Sequence, residues 1–127
     1  MKTIVVVPTY NEASNLRELV ERLFALDVAG LEILVVDDGS PDGTAAVAEA
    51  LESNYPGRIH IIHRLSKQGL GPAYVSGFRR ALDLGADQII QMDADLSHPP
   101  EHIPVFLDQL VPHGIVVGSR YIPGGGA

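Results

Sequence analysis

Asp93 and Asp95 stand one residue apart in the run Met92-Asp93-Ala94-Asp95-Leu96-Ser97-His98-Pro99-Pro100, directly after Asp87-Gln88-Ile89-Ile90-Gln91, which reads as a strand. Two carboxylates at the end of a buried strand form a compact negative site. Hard divalent cations take oxygen ligands, and Mg²⁺ held by one or two carboxylates usually completes its coordination with waters and substrate phosphates. A second acidic turn, Asp37-Asp38-Gly39-Ser40, follows another apolar run. Together the two turns point to a metal-dependent site for a phosphorylated substrate.

Other clusters could serve the same site. In Pro8-Thr9-Tyr10-Asn11-Glu12 the Tyr10 ring could flank a planar base, and Glu12 could accept from a ribose or base group. The bland alternative is a strand exit, with Pro8 ending the ladder because it cannot donate. Asp37 and Asp38 sit among turn formers, yet a carboxylate next to a buried strand needs a partner; a nucleotide hydroxyl or base donor would suit Asp38. The stretch from Arg64 to Gly71 reads as a loop with solvated cations, or as amides approaching an anion at a helix start. Its spacing is neither a Walker loop nor a dinucleotide fingerprint. His98 and His102 are four apart, but Pro99 and Pro100 lie between them and no Glu follows His98, so a solvated role is expected. Arg120, near the end of an apolar run, reads as an ion-pair partner or as a bidentate clamp on phosphate.

The elements that must position these groups are legible as periodicity. Apolar runs at about 3–7, 31–37, 58–63, 87–92 and 114–118 are rich in Val and Ile and mostly do not alternate. That pattern marks strands buried on both faces, hence a parallel sheet. Helical patterns lie between them. The first carries Leu16, Leu19, Val20, Leu23 and Phe24. The second, about 42–53, carries Ala45, Ala48, Ala50 and Leu51 after possible caps at Ser40 and Asp42. The third, about 71–84, carries Val75, Phe78, Ala81 and Leu82, with Gly85 as its stop. The fourth starts near Pro100 and carries Ile103, Phe106, Leu107 and Leu110. Right-handed crossovers then give an α/β fold, an open, mainly parallel sheet with helices on both faces. Ligands of such sheets bind outside the carboxyl ends of the strands at a topological switch point. Each polar cluster above sits at such an end.

Composition narrows the function classes. With 127 residues, 46% apolar and 20% charged, the chain can build one globular core. A net charge of −7 with nine scattered Lys and Arg leaves no basic footprint for nucleic acid. Cys is absent, so thiolate chemistry is excluded. No apolar run approaches a membrane span or a signal-peptide core, and a cytoplasmic setting is expected.

Taken in order, Pro8-Thr9-Tyr10-Asn11-Glu12, Val36-Asp37-Asp38-Gly39-Ser40-Pro41-Asp42-Gly43-Thr44, Gly69-Leu70-Gly71-Pro72-Ala73-Tyr74, the Met92–Pro100 run and Gly118-Ser119-Arg120-Tyr121 resemble family 2 glycosyltransferases of the GT-A fold. Within these the chain looks most like polyprenol or dolichyl phosphate mannose synthases. The resemblance implies a Rossmann-like nucleotide-sugar-binding half, a GDP-mannose donor, a lipid phosphate acceptor and Mg²⁺ or Mn²⁺. It carries nucleotide contacts onto Pro8, Tyr10, Glu12, Val36 and Asp38. It carries metal, diphosphate and sugar contacts onto Asp93, Ala94 and Asp95, with Asp93 and Asp95 as metal ligands, and a phosphate contact onto Arg120. Asp95 and Arg120 become the candidate catalytic residues. Some relatives have Gln where this chain has Ser97, a shorter side chain that would reach a metal through water. Members of the family continue past the Gly-Ser-Arg-Tyr segment, so residues 1–127 are expected to be the donor side of a longer enzyme working at the cytoplasmic face of a membrane. The alternatives are a donor-binding fragment without turnover, or a family 2 enzyme with a UDP-sugar and another acceptor. A phospho-accepting regulator would need an Asp at the end of the third strand, where this chain has His63-Arg64. A sugar nucleotidyltransferase would carry a Gly-rich, Arg-containing loop in place of Tyr10-Asn11-Glu12.

Overall fold

The computed structural model describes residues 2–64, 70–96, 99–104, 115–117 and 120–122. The elements run β1 (Thr3–Thr9), α1 (Ala13–Ala25), β2 (Leu31–Asp37), α2 (Thr44–Asn54), β3 (Ile59–His63), α3 (Leu70–Asp83) and β4 (Gln88–Gln91). A 3₁₀ turn (Pro100–His102), β5 (Ile115–Val117) and β6 (Arg120–Ile122) follow. They form one sheet in the order β3-β2-β1-β4-β5-β6. β1 to β5 are parallel, and β6 returns antiparallel to β5.

The unalternating apolar runs become the central strands because both faces of the sheet are covered. Val5, Val7, Ile33 and Val35 pack against Leu16, Leu19, Val20 and Leu23 of α1 and against Ala48 and Leu51 of α2. Ile4, Val6, Leu34 and Val36 face the opposite way, toward Ala73 and Ala81 of α3. Each fully buried side chain of this size contributes about 1.5–3 kcal/mol.

Four expectations need correction. β1 does not stop at Val7 but runs through Pro8 to Thr9, in register with Val36 and Asp37. Pro8 is tolerated because β1 pairs with β4 only as far as Val6, so its missing N–H falls where no ladder bond is due. On α3 the expected Ala81 and Phe78 do pack against the sheet, but Val75 and Leu82 are 50% and 64% exposed. Ala73 and Gly77, not read from the sequence, complete the inward face. A Cβ built on Gly77 would overlap Val6 Cγ1 and lie 3.2 Å from Val36 Cγ2, so this helix sits closer to the sheet than a larger residue permits. On α2, Ala50 is exposed and Val47 packs on the core in its place. Finally, Arg120 and Tyr121 follow the fifth strand as expected, but they belong to a sixth strand, β6, beyond the five read from the sequence.

Helix ends follow local chemistry. Gly85, at φ +85°, closes α3: its N–H bonds to the Leu82 carbonyl while Ala86 N–H bonds to the Ala81 carbonyl, a Schellman pattern. The expected fourth helix begins at Pro100 as a 3₁₀ turn, with Ile103 buried beneath it. Its remaining expected positions, Phe106, Leu107 and Leu110, lie outside the described residues.

Candidate functional site at the carboxyl edge of the sheet

The strand order reverses between β1 and β4. The chain winds from β1 outward to β3, then crosses back to place β4 on the other side of β1. This is the switch point at which open α/β sheets bind ligands. The carboxyl ends of β1, β2 and β4 deliver Tyr10, Asp37 with Asp38, and Asp93 with Asp95 to one edge. Arg120 pairs with Val117 at the carboxyl end of β5, so its backbone lies on the same edge.

The turn after β2 is a closed knot. Asp37 is buried, and its Oδ1 accepts from Thr9 Oγ1 at 2.8 Å and from Ser40 Oγ at 2.6 Å; its Oδ2 accepts from Ser40 N–H at 3.1 Å. Ser40 Oγ in turn accepts from Asn11 N–H at 2.9 Å, and Asn11 is held at φ +58°. Ser40 therefore clasps the exits of β1 and β2 together rather than capping α2. Asp42 takes the capping work. Its carboxylate accepts from Thr44 N–H at 3.0 Å, from the Thr44 hydroxyl and from Ala13 N–H at 3.3 Å. The Thr44 hydroxyl, more than any other group, holds the Asp42 carboxyl below the usual carboxylate range. Thr44 Oγ1 also accepts from Glu12 N–H at 3.0 Å, which joins the starts of α1 and α2.

Asp38 is also buried, and Arg64 Nε lies 3.0 Å from its Oδ1. The approach is that of two charges rather than of an aligned hydrogen bond. Arg64 was expected as a solvated loop cation; its side chain is only 10% exposed, drawn in by the carboxylate. Signals for this pair were weak in sequence, because 26 positions separate the two residues. The stretch 65–69 that follows Arg64 lies outside the described residues.

The turn after β4 is built differently. Ala94 is buried in the core with Met92, so the flanking carboxylates are turned away from it. A small apolar residue between two acids is thus the plug that seats the turn. Asp93 is half-buried and Asp95 exposed. Asp93 Oδ1 accepts from the hydroxyl of Tyr74 on α3, at 3.0 Å. Burial first, and then the Asp93 bond, push the Tyr74 phenol far above its ordinary range, so at neutral pH it is a donor and not a base. Leu96 closes the turn at φ +64°, a left-handed conformation that costs a side-chain-bearing residue about 1–2 kcal/mol. Its packing on the core offsets that cost. Among the described residues no group of three or more His, Cys, Asp or Glu comes together. Ser97 and His98 lie outside them.

The remaining candidates divide by burial. Tyr10 is 37% exposed at the rim. Glu12 Oε2 accepts from Asn15 Nδ2 at 3.2 Å at the start of α1. Pro8, Val36 and Ala94 are buried, so any ligand contact there falls to the main chain.

A Rossmann-like parallel sheet with acidic turns at its switch point is a nucleotide-binding architecture of the GT-A type. The chain belongs to glycosyl transferase family 2, whose model matches residues 4–127. It is 47% identical over 125 residues to a polyprenol monophosphomannose synthase of Mycolicibacterium smegmatis, covering 98% of this chain and 47% of that protein. It is 45% identical over 127 residues to a dolichol-phosphate mannosyltransferase of Pyrococcus furiosus, covering 98% of this chain and 35% of that one. The chain therefore spans less than half the length of these two relatives. Among solved structures, a mannosyltransferase of Pyrobaculum calidifontis in complex with GDP-Man and Mn²⁺ superposes with a TM-score of 0.74 at 25% identity, over 84% of this chain and 31% of that one.

Proposed function

We propose that this chain forms the donor-binding side of an inverting glycosyltransferase that moves mannose from GDP-mannose to a polyprenyl or dolichyl phosphate. The observation that carries the reading is the position of Asp93 and Asp95 beside the switch point, turned out of the core by the buried Ala94. The mannosyl transferases among its relatives, and the GDP-Man and Mn²⁺ in the similar solved structure, support the choice of sugar, base and metal.

The donor set fits a divalent cation. Two carboxylates supply hard oxygens, and no third His, Cys, Asp or Glu joins them among the described residues. Such a site suits Mg²⁺ or Mn²⁺ that shares its coordination with a diphosphate and waters. When bound, the cation would act as a Lewis acid toward the charge gathering on the departing GDP. The chain's own residues do the rest. On the β1–β2 side, where the base and ribose would lie, Tyr10 is exposed at the rim and Asp38 is buried against Arg64. Asp93 and Asp95 hold the diphosphate end on the β4 side. Arg120, at the same edge, would add a bidentate contact to phosphate as negative charge develops. A phosphate monoester loses its second proton near pH ~6, so a lipid phosphate is already an anionic nucleophile at neutral pH. No protein base is needed to activate it.

The same reading puts the work at the cytoplasmic face of a membrane, where a soluble nucleotide sugar meets a lipid phosphate. No helix among the described residues is long and apolar enough to cross a membrane. The test is turnover by the intact protein with GDP-mannose, Mn²⁺ and polyprenyl phosphate. Lipid-linked mannose is the expected product; transfer from UDP-sugars in its place would overturn the donor assignment.

A further inference from the structure

Asp93 is reached from outside its own turn by Tyr74, nineteen positions earlier in the chain. The Tyr74 ring packs against the α3 side of the sheet and lies 6.3 Å from the Phe78 ring, inclined by 28°. Its hydroxyl emerges at the carboxyl edge and donates to Asp93 Oδ1. A carboxylate beside a strand end can rotate about its Cβ–Cγ bond and present either oxygen to a ligand. One fixed donor removes that freedom. Tyr74 engages Oδ1, which would leave Oδ2 to a cation held together with Asp95.

We propose that Tyr74 is a positioning residue for the divalent cation and the nucleotide diphosphate, acting through Asp93. The proposal rests on the reading of Asp93 as a metal ligand. It adds a residue whose role is orientation: the phenol touches neither the sugar nor the leaving group, and it holds one ligand in the geometry that binds. Hydrogen-bond partners of metal ligands typically change metal affinity by about 10–100-fold when removed.

Calorimetry with GDP, in Mn²⁺ and in EDTA, tests this on the intact protein and on Tyr74→Phe, Asp93→Asn and the double variant. The Phe ring keeps the packing and removes only the donor. In the unsubstituted protein Mn²⁺ should tighten GDP binding. Tyr74→Phe should lose about tenfold of that gain, with GDP affinity in EDTA and the thermal midpoint unchanged. Adding Tyr74→Phe to Asp93→Asn should cost nothing further, since residues acting through one another are not additive. A Tyr74→Phe protein that keeps the whole Mn²⁺ gain overturns the positioning role. So does one that loses GDP affinity equally in EDTA, because that loss belongs to packing or to direct nucleotide contact. No Mn²⁺ gain in the unsubstituted protein would remove the metal reading of Asp93, and the role of Tyr74 with it.

Discussion

Two acidic turns, after β2 and after β4, face the same edge of one sheet and use their carboxylates in opposite ways. After β2, Asp37 receives the Thr9 hydroxyl and both the hydroxyl and N–H of Ser40, and Asp38 is buried against Arg64. After β4, Asp93 is half-buried and receives the Tyr74 hydroxyl, and Asp95 is exposed. The first turn uses its charge to hold together the ends of β1, β2 and, through Arg64, β3. The second holds its backbone through apolar Met92, Ala94 and Leu96, so its acids are left to the rim. Where a turn is anchored by its apolar residues, its polar ones are available for a ligand.

That contrast can be broken by substitution. The largest effect is expected at Asp38→Ala, which strands the Arg64 guanidinium in a buried site. Loss of one partner from a buried pair costs about 3–5 kcal/mol, readable as a drop in the urea midpoint. Replacing Arg64 by Met in the same chain should recover most of it; unchanged stability in the single variant would show that the pair is not structural. Next comes Asp93→Asn, expected to lower turnover of GDP-mannose about 100-fold, the scale of a lost electrostatic contact to the transition state, while the thermal midpoint barely moves. A variant that unfolds instead would put the β4 turn in the same class as the β2 turn. Asp37→Ala should follow at about 1–3 kcal/mol of stability, because the buried Thr9 hydroxyl loses its acceptor. The smallest effect is a pH dependence at Asp42. Its folded-state pKa is depressed, chiefly by the Thr44 hydroxyl. Its contribution is therefore present above the ordinary carboxylate pKa and lost as pH falls through the lower folded value, since the unfolded chain takes up the proton first. Acid titrations of Asp42→Asn should lack that component.

The strands at the centre of the sheet were legible because burial on both faces writes itself as uninterrupted Val and Ile. The helices between them were legible from period alone. The inward face of α3 was legible only at Phe78 and Ala81. Hydrophobicity favours Val75 and Leu82 as core residues, but close approach to Val6 and Val36 demands the small residues Ala73, Gly77 and Ala81. β6 escaped because three residues cannot display an alternation. At the site, the acids could be read from their places at strand ends, but their partners could not. Arg64 and Tyr74 meet Asp38 and Asp93 only through the parallel pairing of β2 with β3 and the seating of α3 on the sheet.

Gly77 lies three residues beyond Tyr74, about one turn along α3, at the point where the helix presses on the sheet. The missing side chain works as a spacer of zero thickness, fixing how high the Tyr74 hydroxyl stands above the strand ends. A lift of about 0.6 Å would carry its 3.0 Å bond to Asp93 beyond hydrogen-bond range. A single methyl group added in the apolar layer between α3 and the sheet would thus detune a charged rim it never touches. Variants at Gly77 would then be distinguished from ordinary packing defects by a loss of metal-dependent binding out of proportion to their loss of stability.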